Sequence, residues 1–317
     1  MSDPTPQARF APHIQTLLDN VRRAGFPPLY EMSAQQARLA YQAGVGAMTL
    51  PGPEVARTAD FQIPGPAGQL RARLWADSHA PGLPVFLYLH GGGFVVGGIE
   101  TCQDMCRTIA RAAGVAVVAV EYRLSPEHKY PDCLADAWAA LRWLAEQGHT
   151  LGVDGRHLAV GGDSAGGTLT AAVALMARDA KLPLALQAMF YPSVQTRTAY
   201  PSFKTYANNT LLNAQLMKWF EAHTAGGQLA EPWHREPLYA PRHDGLAPAW
   251  IGLAECDTLA DEGRQYAQTL REAGVPVALH EWPGVLHDFI NMSRFVPEAT
   301  QAHLALSEAL KGALRGV

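Results

Sequence analysis

The run Leu158-Ala159-Val160-Gly161-Gly162-Asp163-Ser164-Ala165-Gly166-Gly167 carries three apolar residues into a Gly-rich turn, and a stretch of good helix formers follows as far as Asp179. An apolar strand, then G-x-S-x-G, then a helix is the setting in which a serine occupies a tight strand-to-helix turn with its Oγ exposed. Small neighbours make room for that strained turn, and the start of the helix favours the negative charge of a tetrahedral intermediate. The competing reading is a Gly-rich turn that cradles phosphate, but G-x-x-x-x-G-K-[ST] and the G-x-G-x-x-G spacing are both missing. Ser164 is therefore the candidate nucleophile.

Outward from this turn, short unbroken apolar runs recur at residues 85–89, 115–120, 186–191, 250–254 and 277–282. Runs of that length without alternation suit strands buried on both faces, and helical patterns at 132–146, 165–179 and 259–273 supply the crossovers. The sum is a mostly parallel α/β sheet. Residues 60–64 and 70–75 alternate around a Gly-Pro turn and predict an antiparallel hairpin at a sheet edge. Two segments lie outside this rhythm. Residues 1–55 hold Ile14, Leu17, Leu18 and Val21 at helical spacing, then Ser33 with Gln36 as the capping box of a helix through Tyr41, then a Pro/Gly connector at 50–53. Residues 194–248 form a long, polar and aromatic insertion in which Asn213 is the expected N-cap of one helix, with Leu212 and Met217 as a hydrophobic staple. The sheet is thereby assigned to residues 56–193 and 249–317.

Composition narrows the field of partners. The 317 residues carry 25 Lys+Arg against 29 Asp+Glu, a formal charge of −4, so neither nucleic acid nor an anionic membrane finds an electrostatic footprint. With 48% hydrophobic residues the chain can bury enough apolar surface to fold. The opening residues contain acids and prolines without an apolar h-region, which points to a cytoplasmic protein, and the uncharged stretches near 81–99 and 182–196 are too interrupted to span a membrane. Four cysteines are too sparse for a disulfide scaffold; Cys102 and Cys106 lie four apart on an expected helix but have no second pair at zinc spacing, so no metal site is expected.

The chemistry needs donors for an oxyanion, a base and a carboxylate that orients the base. His90-Gly91-Gly92-Gly93 follows the strand at 85–89, where residues without Cβ let backbone N–H groups turn inward beside the N–H of Ala165. His90, at a strand end, is read as a hydrogen-bonding support for this loop rather than as the base. Asp257 falls just beyond the run at 250–254, at the carboxyl end of a strand where α/β sites gather, and His287 lies past the last strand. Asp261 and Glu262 compete for the acid role but fall inside the following helix, and His280 sits within a strand pattern. A surface-loop histidine is the alternative reading of His287.

Taken together, HGGGFVVGG, EYRLSPEHKYP at 121–131, GGDSAGG, DTLADEG at 257–263 and the late His-Asp-Phe resemble the bacterial hormone-sensitive-lipase family (family IV) of carboxylesterases, a branch of the α/β-hydrolases. The resemblance runs from about residue 60 to the end. It implies an α/β-hydrolase fold, Ser164 as nucleophile, Asp257 as acid, His287 as base, Gly91, Gly92 and Ala165 as oxyanion donors with His90 and Gly93 supporting their loop, and a helical cap made from the two segments outside the sheet. Departures are Thr258 where the family often has Pro and Thr168 where it often has Asn.

The expected reaction is hydrolysis of a small-molecule short- to medium-chain acyl or aryl ester through an acyl-enzyme, without metal or organic cofactor. The same chemistry on an amide, a carbamate or an acetylated substrate is an alternative, as is a non-catalytic receptor on this fold. Phe94, Tyr191, Phe203, Trp219 and Phe220 are the candidate walls of the substrate pocket, with simple cap packing as the competing reading of each. The last strand, from Val277 to Trp282, is an expected sheet edge and the expected seam of a homodimer.

Overall fold

Each apolar run becomes a strand whose side chains feed two cores at once. In β3 (Leu83–Leu89), Val85, Leu87 and Leu89 enter one core while Phe86 and Tyr88 enter the other, and all five are fully buried. Such a strand has no polar face to show to water, so helices must cover both sides. The computed structural model describes residues 9–196 and 200–315, so the reading of the opening residues, in so far as it rests on 1–8, and the 197–199 part of the insertion lie outside the described residues.

In chain order the elements are α1 (Pro12–Ala24), α2 (Ala34–Met48), β1 (Arg57–Gly65), β2 (Gly68–Ala76), β3, α3 (Ile99–Ala113), β4 (Ala116–Val120), α4 (Asp132–Gln147), β5 (Val153–Asp163), α5 (Ala165–Asp179), β6 (Leu186–Phe190), α6 (Pro201–Tyr206), α7 (Ala214–Thr224), β7 (Ala249–Cys256), α8 (Ala260–Glu272), β8 (Val277–Leu286) and α9 (Pro297–Arg315). The eight strands form one sheet in the order β1-β2-β4-β3-β5-β6-β7-β8. β1, β2 and β4 pair antiparallel, and every pairing from β4 through β3 to β8 is parallel. The chain therefore reverses direction across the sheet between β3 and β5, and the carboxyl ends of these two strands deliver the glycine loop and the serine turn side by side. Crevices at such a reversal are where α/β sheets bind ligands.

Helices α3 and α9 contribute to one core, and α4, α5 and α8 to the cores on the opposite side. α1 joins the first of these through Ile14, Leu17 and Leu18. The glycine loop after β3 meets α2 and α7 in a smaller cluster, where Ala34, Ala37, Val95 and Val96 pack with Trp219 and Phe220. The capping box of Ser33 and Gln36 is present, and Asn213 caps α7 by accepting the N–H of Leu216 at 2.9 Å.

Three expectations change. α2 runs on to Met48 instead of ending at Tyr41, passing through Gly44 and Gly46, two residues that weaken helix propensity and so hid its second half. β5 begins at Val153 instead of residue 158, because Val153 and Asp154 pair with Leu83 and Pro84 ahead of an irregularity in the register. β8 continues through Pro283 and Gly284 to Leu286, pairing with Cys256 across a second irregularity. No helix among the described residues is long and apolar enough to cross a membrane.

Candidate active site

Ser164 sits between β5 and α5 with φ 51° and ψ −116°, outside the ordinary regions for a residue with a side chain. Several kinds of contact hold it there. Its N–H donates to Phe190 O at 2.9 Å, its carbonyl accepts from Thr168 N at 3.0 Å, and a Cβ on Gly166 would run into the backbone carbonyl of Leu89. Glycine at 166 thus lets α5 start directly against β3. Thr168, one of the two departures from the family pattern, donates its hydroxyl to Ser193 O and so fastens the first turn of α5 to the chain leaving β6.

His287 Nε2 lies 2.9 Å from Ser164 Oγ, and His287 Nδ1 lies 2.6 Å from Asp257 Oδ2. With Nδ1 protonated and donating to the carboxylate, Nε2 presents its lone pair to the serine hydroxyl. Asp257 is fully buried, and its other oxygen accepts the N–H of Leu259 at 3.0 Å, which fixes the carboxylate plane. Burial alone presses the His287 pKa down, but the charge and hydrogen bond of Asp257, with the charges of Asp288 and Asp163, together raise it above the ordinary imidazole value. The competitors lie elsewhere: Asp261 accepts Ser202 N at 2.8 Å, Glu262 accepts Val194 N at 3.0 Å, and His280 stacks on Trp250.

The glycine loop corrects the expected donor set by one residue. Gly91 N–H is already committed, donating to Asp163 Oδ1 at 2.8 Å, so it cannot serve an oxyanion. Among the described residues the N–H groups of Gly92, Gly93 and Ala165 meet no acceptor. Gly93, at φ 58°, lies so close under the ring of Phe220 that a Cβ would overlap it. His90 is buried with its ring stacked on Tyr122 at 4.2 Å, and its Nδ1 is 2.7 Å from Gly91 O. Burial holds its pKa down to about 4, so it stays neutral and shapes the loop.

Two further carboxyls flank the site, and the sequence reading assigned a role to neither. Asp163 is pushed up to about 7 by burial, against donations from Tyr88 Oη at 2.6 Å and Gly91 N. Asp288 follows His287 in the left-handed region at φ 68°; its carboxyl accepts Tyr41 Oη at 3.1 Å and Asn291 Nδ2 at 2.6 Å, and burial raises its pKa. An acid directly before the serine inside a tight Gly-rich turn was the available signal for Asp163. Nothing local marks Tyr41, whose partner is 247 residues away.

A cavity of about 510 Å³ opens over this constellation, with Gly92, Gly93, Asp163, Ser164, His287 and Asp288 at its walls. The rest of its lining comes from α1 and the turn after it (Leu18, Val21, Phe26), from α2 (Tyr41, Gly44, Val45, Met48) and from the stretch 208–216. Of the five aromatic residues expected to wall the pocket, Phe220 alone lines this cavity. Phe94 is turned into an edge-to-face contact with Tyr130 at 5.2 Å and lies under the Arg235 guanidinium at 4.8 Å; Tyr191 is buried against the His287 ring at 4.5 Å. Trp219 packs on His223 and joins the Val95–Val96 cluster, and Phe203 is on α6, off the cavity. Four of the five rings are therefore packing rather than wall, and the rings that do line the open space besides Phe220 are Phe26, Tyr30 and Tyr41. Among the described residues no group of three or more His, Cys, Asp or Glu side chains is placed to hold a metal ion.

The same arrangement of strands, loops and turns is found in known proteins. Residues 86–291 match the family model described as an alpha/beta hydrolase fold. The chain is 40% identical over 268 residues to the esterase LipI of Mycobacterium tuberculosis, covering 82% of this chain and 83% of that protein. It belongs to the family IV carboxylesterases of the α/β-hydrolase superfamily. As a family IV member, it is a carboxylic ester hydrolase, and its likeness to the ethyl acetate hydrolase of Pseudomonas putida is 36% identity over 90% of this chain and 92% of that one. An ester hydrolase from the metagenome of Lake Arreo, solved with a bipyridine phosphonate derivative, superposes with a TM-score of 0.91 at 33% identity, over 96% of this chain and 98% of the other.

Proposed function

We propose that this esterase cleaves short- to medium-chain acyl or aryl esters through an acyl-enzyme on Ser164. The observation that carries the reading is the relay Ser164 Oγ to His287 Nε2 at 2.9 Å and His287 Nδ1 to Asp257 at 2.6 Å, set at the wall of a cavity of about 510 Å³. His287 takes the hydroxyl proton as Oγ bonds to the ester carbonyl carbon, and Asp257 stabilises the imidazolium that results. The carbonyl oxygen, now carrying the electron pair, meets the N–H groups of Gly92, Gly93 and Ala165. Collapse breaks the bond to the alkoxy oxygen, which leaves as alcohol with the proton from His287. Water repeats the cycle on the acyl-enzyme, and the acid departs.

The residues of α1, α2 and 194–248 that line the cavity act in this reading as a cap, completing a division into 1–55 and 194–248 over a hydrolase body at 56–193 and 249–317. A cavity of this size, and the name of the Pseudomonas putida relative, favour small esters. Hydrolysis of p-nitrophenyl butyrate and hexanoate should exceed that of the laurate; the reverse order overturns the size reading. Ser164→Ala should lower kcat by about 10⁴-fold or more and abolish labelling by a fluorophosphonate probe, and retained turnover in that variant overturns the mechanism. We also propose a cytoplasmic location and a homodimer through the exposed edge of β8. Light scattering that finds monomer alone, or recovery of the protein outside the cytoplasm, removes the respective proposal.

A further inference from the structure

The cavity-facing side of α2 holds a glycine that its surroundings do not require. Tyr41, Gly44, Val45 and Met48 follow one another at helical spacing along this face and all four line the cavity. At Gly44 the backbone is ordinary helix, so any side chain fits its conformation, and a Cβ built there meets no heavy atom within 4 Å. The glycines of the serine turn and of the oxyanion loop are different, since a Cβ on Gly92, Gly93 or Gly166 would run into neighbouring atoms. Glycine within a helix is less favourable than any residue but proline, so a glycine that makes no close approach weakens α2 and gains nothing in packing. What it leaves is space, on the cavity side.

That space is bounded by a wall that cannot retreat. Arg38 near one end of α2 donates to Val95 O and Ser125 O at 2.8 Å each, and Tyr41 donates to Asp288. At the other end Thr49 Oγ1 donates to Asn291 O at 2.7 Å, and Met48 O accepts Arg294 N at 2.9 Å. A helix tied at both ends to the hydrolase body does not swing outward to admit a longer substrate, so the volume beside it is set by its side chains.

We propose that Gly44 is the specificity-determining position that admits the alkyl chain of the ester, and that the length of chain accepted is set by the side chain it lacks. The inference rests on the cavity being the substrate site, as proposed above. Gly44 lies about one turn along α2 from Tyr41, which reaches Asp288 beside the base, and both line the cavity. Gly46, two residues on, is exposed and lies off the cavity, and it supplies the internal control.

The test compares kcat/KM ratios in the full chain. One series varies the acyl group, from p-nitrophenyl acetate to the octanoate, and the other varies the alcohol, from ethyl to hexyl acetate. Gly44→Leu should lower the octanoate-to-acetate or the hexyl-to-ethyl ratio by about tenfold or more, the series that responds telling which end of the ester lies along α2. Gly44→Ala, which improves the helix, should shift the same ratio less, in the same direction and without loss of melting temperature. Gly46→Leu should leave both ratios as they are. Flat ratios in Gly44→Leu and Gly44→Ala, or an equal shift in Gly46→Leu, overturn the inference while the ester-hydrolase reading stands. A wild-type chain that neither cleaves these esters nor takes a fluorophosphonate overturns the reading and the inference together.

Discussion

The cavity is walled by two kinds of backbone. On the side of β3 and β5, a Cβ on Gly92 or Gly166 would run into backbone carbonyls and one on Gly93 into the Phe220 ring, and the reacting atoms sit at hydrogen-bond distance. On the side of α1 and α2, helices present spaced side chains, and Gly44 has open space around it. The first wall leaves no freedom and so fixes chemistry; the second leaves volume and so fixes what fits. Changes in the first should lower turnover of every ester alike, whereas changes in the second should alter the preference among esters or the hold of the helices on the body.

The largest effect expected from this contrast, after loss of Ser164 itself, is in Asp257→Asn. An amide there favours the wrong imidazole tautomer, and kcat should fall by about 10⁴-fold for short and long esters alike. The pH profile sharpens the point. The base works only when neutral, and its pKa is raised by Asp257, so the acid limb of kcat/KM should lie above the ordinary imidazole range in the wild type. Removing that charge leaves burial opposed only by the more weakly acting Asp288 and Asp163, so in Asp257→Asn the residual activity should show an acid limb moved to lower pH. A limb that moves upward or stays put would break the assigned pairing.

Next is Gly93→Val, which places a side chain against Phe220 and into a positive φ, displacing a proposed oxyanion donor. A loss of about 10²- to 10³-fold in kcat, with little change in KM and no dependence on chain length, is expected. A loss confined to long esters would mean that Gly93 belongs to the second wall. The smallest effect is assigned to Tyr41→Phe, which removes one donor to Asp288 and keeps the ring. Chemical denaturation should show a loss of about 1–2 kcal/mol, with kcat on acetate esters within about threefold of the wild type. A loss of turnover as large as that of Gly93→Val would move Tyr41 into the first wall.

The first wall was largely legible in the sequence because tight backbone contact writes itself as glycine. GGDSAGG, the glycine run after β3, Asp257 and His287 could each be placed from residue type and position at a strand end. Its error was one of register. Gly91, Gly92 and Gly93 are chemically identical in sequence, and which N–H groups are spare depends on Asp163, 72 residues away, having taken the first of them. The second wall was far less legible. The amphipathic face of α1 announced that it covers something, but aliphatic residues at helical spacing read alike whether they face a core or a cavity. The glycines of α2 disguised its last two turns. The aromatic residues drew attention because of their size, and size is what made most of them useful as packing.

The hydrogen bonds of α2 also set an order of assembly. Arg38 reaches Glu127 across 89 residues, while Tyr41 and Thr49 reach Asp288 and Asn291 across 247 and 242. Contacts that close such long loops are entropically late in folding. α2 precedes the sheet in the chain yet is fastened at Tyr41 and Thr49 only after residues beyond β8 have emerged. Arg38 holds Val95 O only 57 residues away, so the loop with the proposed oxyanion donors can be tied to α2 before that step. In that order there is a stage in which the sheet is built and the serine turn is formed but the cavity is not yet roofed, and the proposed hydrolytic site is complete only once Asp288 and Asn291 have joined α2.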